Sequence, residues 1–292
     1  MRRAGPEGGE GLSGLAAQHA VTRTVRDSAA LLDAIAGPMP GDPYFATRPT
    51  RPYLDEVTTE PGPLRIAFAR SAPNGTPLHP DCIAAVEYAA RLCEQLGHRV
   101  EEASPQFDAP ALERGFQQVF AANTMANIAR ATGGAMPDPA LVEPLTYALA
   151  LRARTIDAAQ YILAIHALHR QARGIAGFFE RYDLWLTPTL AQPPTAIGHF
   201  DIESSDVERW IAQLSAYIPF TYLFNVTGQP AMSVPLWWGS DGLPIGCQFA
   251  ARYGDEPILF RLAGQLERAQ PWIAKRPALA TSCGDPARVR RP

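Results

Sequence analysis

Lysine is almost missing from this chain of 292 residues. Lys275 is the only one, and every other member of the 26 basic residues is arginine. Arginine keeps its proton at any ordinary pH, so a lysine base has a single candidate position. Long apolar runs are also missing, and no window has the uninterrupted length needed to span a bilayer. Met1–Gly9 carries basic residues with no apolar run behind them, so no secretory signal is read there. Cysteine is sparse: Cys82, Cys93, Cys247 and Cys283, with no CxxC pair. Cys82 and Cys93 fall on one expected helix, too far apart along it to bond. A reduced, cytoplasmic setting follows as the expectation. The net charge of -3 gives no reason to invoke nucleic acid or a membrane surface. No cofactor and no metal are expected. His166 and His169 are spaced to share a helix face, but no third ligand accompanies them.

What is present is an ordinary globular composition. Apolar residues make up 47% and charged residues 19%, enough for a large core in one or two domains. The 28 prolines mark many segment ends. Residues 1–14 are Gly-rich and read as an irregular segment, a loop cut in the middle. Thr22 to Gly37 reads as a helix capped by Thr22 or Thr24, with Val25, Ala29, Leu32 and Ile35 on one face. Arg23 and Asp27 are expected to pair across one turn of it. Residues 38–63 read as a long proline-marked connection.

Leu64–Ala69 alternates as a strand, residues 81–96 as a helix ended by Gly97, and Arg99–Glu102 as a second strand. This strand–helix–strand unit predicts a parallel crossover and an α/β class. Residues 107–180 read as helices over 109–132, 139–151 and 157–181, a helical insert. Asp183–Thr189 reads as a buried strand, and a helix is expected near 205–216. Tyr217–Pro235 continuing into Asp241–Phe249 reads as a loop, a short buried strand, a turn and a second strand. Cys247 falls in that second strand as a small core residue. Trp237-Trp238 follows the first strand and is expected to cover an edge or face an outer surface. A last helix spans about 256–270, and residues 277–292 read as a disordered tail.

Four segments in this order resemble the amidase signature family. They are Thr22-Arg23-Thr24-Val25-Arg26-Asp27, Tyr182–Thr189, Asn225-Val226-Thr227-Gly228-Gln229-Pro230-Ala231, and Gly242–Gln248. Gly37–Pro43 and Pro73-Asn74-Gly75 look most like the branch of 6-aminohexanoate cyclic-dimer hydrolase. The resemblance implies part of a mixed β-sheet covered by helices on both faces, over residues 15–276. It implies acyl transfer, in which a serine attacks an amide carbonyl, an amine or ammonia leaves, and water releases the acid. In the family a lysine acts as base through a second serine. A desolvated lysine can take a serine proton near neutral pH, and backbone N–H groups of a Gly/Ser-rich loop hold the oxyanion.

That centre is not found here. Lys275 lies beyond the last family helix, and no Gly-Gly-Ser-Ser-Gly run exists. Ser13 in Gly11-Leu12-Ser13-Gly14 falls downstream of where the nucleophile loop belongs. No catalytic residue is therefore assigned, and the chain is expected to be an N-terminally truncated hydrolase, inactive alone. The substrate-pocket candidates are Thr221, Phe224, Asn225, Thr227 and Gly228. The same residues also suit a purely structural turn. The expected ligand is a small-molecule amide. Two other roles stay open: a non-catalytic binding remnant, and a subunit completed in trans by an N-terminal fragment, including an amidotransferase-like A subunit. An uncovered edge also makes a homo-oligomer an expectation.

Overall fold

The computed structural model describes residues 10–276 apart from 43, 45, 46 and 48. The expected disordered tail, and residues 1–9 of the expected irregular segment, lie outside the described residues. Residues Gly11–Gly14 form a short 3-10 turn with non-helical dihedrals inside it. Leu12 and Ser13 both hold positive φ within it, at 49° and 53°, and Gly14 follows at 79°. Two successive non-glycine residues in this region are held there by their surroundings.

Helix α1 (Val25–Ile35) begins where the Thr24 side chain accepts the Asp27 amide, and buries Val25, Ala29 and Leu32. The expected Arg23–Asp27 pair does not form. Arg23 turns away to donate to the Ile273 carbonyl at 2.7 Å, while Asp27 lies 3.6 Å from Arg26. Arg23 lies before the Thr24 cap, outside the helix, so the i, i+4 spacing does not apply to it. The long connection contains a one-turn helix, α2 (Tyr53–Glu56), tied down by Asp33, whose carboxylate accepts the Tyr53 and Leu54 amides.

Strand β1 (Arg65–Phe68), helix α3 (Pro80–Gln95) and strand β2 (Arg99–Glu102) form the expected parallel crossover. Helix α4 (Ala109–Thr132) is capped by Asp108 and stopped by Gly133 in the left-handed region. The expected helix 139–151 is broken: a 3-10 turn over Pro139–Leu141 precedes α5 (Pro144–Ala153). Pro144 cannot continue a preceding helix but fits a first turn. Helix α6 (Ala158–Phe178) starts with a full capping box between Asp157 and Gln160. Strand β3 (Leu184–Pro188) is buried along its whole length, and α7 (Val207–Tyr217) follows a loop.

The segment after α7 departs most from expectation. Thr221–Thr227 is a helix, α8, rather than a loop. Its Tyr222, Leu223, Phe224 and Val226 are buried. Aromatic and β-branched residues favour strands, and here packing overrides that preference. Gly228 ends the helix at φ 71°. Strands β4 (Ala231–Trp238) and β5 (Pro244–Ala251) then form a hairpin, and α9 (Glu256–Ala269) closes the fold.

The sheet has the order β2-β1-β3-β5-β4. Strands β1, β2 and β3 run parallel, while β5 runs antiparallel to both β3 and β4. Helices cover both faces, as the resemblance implies. One core holds α1, α3 and α9 against Ile66, Leu184, Leu186, Cys247 and Phe249. The other holds α4, α6 and α8 against Ala67, Trp185 and Ala250. These sets alternate along each strand, as a two-faced sheet demands. Strand β4 is an edge and carries a bulge between Val234 and Trp237, where Pro235 offers no amide for pairing. Trp237 packs against Tyr88 at 5.4 Å, and Lys275 sits 5.1 Å over the Trp238 ring.

Candidate functional site

Helix α8 carries the pocket candidates, and each has a definite place. Phe224 is buried, with its ring 6.0 Å from Trp185. Thr221 is half-buried at the first position of the helix. Asn225 is half-buried and donates through Nδ2 to the Leu15 carbonyl at 2.7 Å. That bond joins the helix to the segment following the Gly11–Gly14 turn. The Thr227 hydroxyl accepts the Gln229 amide at 3.4 Å. The Gly228 amide bonds the Phe224 carbonyl at 2.9 Å. Thr227 and Gly228 thus shape the exit of α8, while Asn225 reaches across the fold.

A polar cluster stands beside this helix that sequence reading does not reveal. The strained Ser13 hydroxyl meets the Tyr161 hydroxyl of α6 and accepts the Asn123 amide of α4 at 2.8 Å. Ser13 is 110 residues from Asn123 and 148 from Tyr161 along the chain, so no local spacing signals the contact. Asn123 also donates to the Val119 carbonyl at 2.9 Å. The arrangement offers a hydroxyl pair and a carboxamide within reach of one another, a set that can hold a polar group by hydrogen bonds. Among the described residues no histidine or lysine bonds the Ser13 hydroxyl, whose partners are Tyr161 and Asn123.

The motif residues hold one another. In the β3–β5 ladder Thr187 pairs with Gln248 and Pro188 with Cys247. Gln248 donates to the Thr187 hydroxyl at 3.2 Å inside the core. The Thr189 and Ser233 hydroxyls bond at 2.7 Å. They do so in the space left by Gly246, where a Cβ would lie 2.5 Å from Ser233 Oγ and 2.6 Å from Thr189 Oγ1. Any side chain there would break the pair. Gln229 ties the exit of α8 to β5 through the Ala251 carbonyl at 2.9 Å.

The other reactive candidates are inert. Burial pushes the Cys247 thiol up to about 12, Cys93 to about 12 and Cys82 to about 11. His166 and His169 are exposed on α6. Among the described residues no group of three or more His, Cys, Asp or Glu side chains is placed to hold a metal ion. No helix among them is long and apolar enough to cross a membrane.

The Amidase family profile matches residues 11–260. The chain belongs to the amidase family. The 6-aminohexanoate-cyclic-dimer hydrolase of Paenarthrobacter ureafaciens is 34% identical over 286 residues, covering 92% of this chain and 57% of that protein. The hydrolase of the same name from Pseudomonas sp. (strain NK87) is 35% identical over 286 residues, with the same coverage. A solved structure of 6-aminohexanoate cyclic dimer hydrolase complexed with substrate has a TM-score of 0.82 and 34% identity. It covers 88% of this chain and 55% of that one. The branch resemblance read from the sequence is borne out. The chain spans little more than half the length of these relatives.

Proposed function

We propose that this chain is the pocket-bearing part of an amidase that hydrolyses the carbon–nitrogen bond of a small organic amide. The observation that carries the reading is the 34% identity, with a TM-score of 0.82, to a hydrolase of a cyclic amide dimer. The family match over residues 11–260 includes α8, whose Thr221, Phe224, Asn225, Thr227 and Gly228 we take as the substrate-facing candidates. The nucleophile and its base belong to sequence outside these 292 residues, since Lys275 is the only lysine and caps the Trp238 ring. The hydrolytic step then reads simply. The serine oxygen bonds to the amide carbon, the amine leaves with a proton, and water cleaves the acyl-serine ester to acid and free serine. This chain's share is to bind and orient the acyl part.

Ammonia or amine release from simple carboxamides and from the 6-aminohexanoate cyclic dimer tests the reading on the chain alone. Expected is no release by the chain, by Ser13→Ala or by Lys275→Met. Release that persists undiminished in both variants would show that the lysine–serine chemistry is not required.

A further inference from the structure

A groove runs along the crossing of α4 and α6, and none of the α8 candidates lines it. The two helices run antiparallel. Near one end the Asp108 amide bonds the Gln171 side chain at 2.9 Å, and near the other Ser13 bridges Asn123 and Tyr161. Between these ties the helices meet at Gly115. A Cβ there would lie 3.0 Å from Leu168 Cδ2 and 3.3 Å from the Ala164 carbonyl oxygen. Ala111, Gly115, Ala164 and Ala167 are all small, so the crossing leaves a trough between the longer side chains that flank it. The trough holds about 340 Å³ and opens to solvent. That volume suits a small molecule, and its contents would be within reach from outside.

The trough has cations and no anion. Arg114 of α4 and Arg170 of α6 both line it, and no acidic side chain does. Both arginines are exposed, and neither has an ion pair or hydrogen bond among the described residues. The acidic residues of the same helices are engaged elsewhere. Asp108 accepts the Ala111 amide at 2.9 Å, Asp157 accepts the Gln160 amide at 2.7 Å, and Glu113 accepts from Gln117 at 3.4 Å. A cleft lined by one sign of charge attracts the other, and the guanidinium fork matches a carboxylate in two parallel bonds. The antiparallel crossing puts Arg114 and Arg170 toward one end and Gln118 and Gln160 toward the other. Between the ends lies an apolar stretch that includes Leu163, which is 64% exposed. From Gln160 to Arg170 the helix rises about 15 Å.

We infer that this groove binds a small organic carboxylate with an unbranched apolar chain. The carboxylate meets Arg114 and Arg170, and the chain lies over the alanines and against Leu163. The narrow floor of small residues selects a linear body over a ring. The absence of any lining carboxylate leaves the two guanidinium charges for the ligand. The inference concerns binding, and it stands apart from whether the chain hydrolyses anything.

The test uses octanoate and octanamide, which share a chain and differ in the charge of the head group. Binding to the full chain is followed by calorimetry. Octanoate is expected to bind more tightly, and Arg114→Gln and Arg170→Gln each to weaken it about fivefold while leaving octanamide unchanged. Arg173→Gln removes an equal charge from α6 outside the groove and is expected to leave both affinities unchanged. Ala167→Trp, which fills the groove, is expected to abolish binding of both, with circular dichroism confirming that the variant is folded. Three results would overturn the inference: equal affinity for the two probes, octanoate binding weakened as much by Arg173→Gln as by Arg170→Gln, or octanoate binding undiminished in both groove arginine variants.

Discussion

Gly264 of α9 lies so close to Val57 that a Cβ on it would sit 2.0 Å from the Val57 carbonyl oxygen. The same carbonyl accepts a bond from Arg268 at 3.0 Å, so it is fixed in place. Helix α9 can approach the end of α2 only because this residue has no side chain. Gly264→Ala therefore forces a helix apart from a backbone rather than displacing a flexible group. The expected loss is about 3 kcal/mol, a fall in Tm of about 6–12 °C. A thermal melt checks it, and an unchanged Tm would contradict the packing described.

Glu56 joins the same two helices electrostatically. Its buried carboxylate receives Arg51 through Nε at 2.6 Å and Nη2 at 2.5 Å, and Arg261 through Nε at 2.5 Å. Hydrogen bonds from Arg51, opposed by burial and joined by those from Arg261, lower its pKa to about 2. A carboxyl whose folded pKa is depressed stabilises the fold above its unfolded value, and that stability is lost as pH falls through the folded one. The window runs from about 4.5 down to about 2. Glu56→Gln is expected to lower stability at pH 7 by about 2 kcal/mol, discounted because both arginines are partly exposed. The variant's deficit relative to the parent should shrink as pH falls through that window. Urea melts at pH 7, 4 and 3 measure it, and a deficit independent of pH would refute it.

Asn225 holds the Gly11–Gly14 turn against α8 through a single bond to Leu15. Asn225→Ala should release that segment at a local loss of about 1 kcal/mol. Faster hydrogen exchange is expected at the amides of Leu15 and Ala16, which bond back into the turn at 3.0 and 3.2 Å. Unchanged exchange there would show that the Ser13 contacts alone hold the segment.

Cys82, Cys93 and Cys247 share one core and are shielded from solvent. With thiol pKa values of about 11 to 12, they should resist iodoacetamide at pH 8 in the native protein and react after unfolding. Peptide mapping distinguishes the two states. Labelling of Cys247 in the folded chain would contradict its burial.

Local signals in the sequence were strong where a cap and a period agree. Thr24 begins α1 by accepting a backbone amide, and Val25, Ala29 and Leu32 form the buried face that their spacing implies. Helix α8 escaped reading because Tyr222, Leu223, Phe224 and Val226 carry the composition of a buried strand, and seven residues are too few to show a helical period. The Ser13–Asn123–Tyr161 cluster escaped for another reason. It joins residues more than a hundred positions apart, and its geometry depends on a positive-φ turn at residues that are not glycine. Gly246 was visible as a motif glycine, but the hydroxyl pair that demands it was not.

The account's central claim is that this chain supplies the substrate pocket of an amide hydrolase and takes its nucleophile from elsewhere. The direct measurement mixes the purified chain with the portion of the Paenarthrobacter ureafaciens hydrolase that it does not match, and follows amine release from the 6-aminohexanoate cyclic dimer. The account predicts release from the mixture, none from either part alone, and a loss of at least tenfold when Asn225 is replaced by alanine. A folded, associated mixture without release, or release by this chain alone, would contradict it.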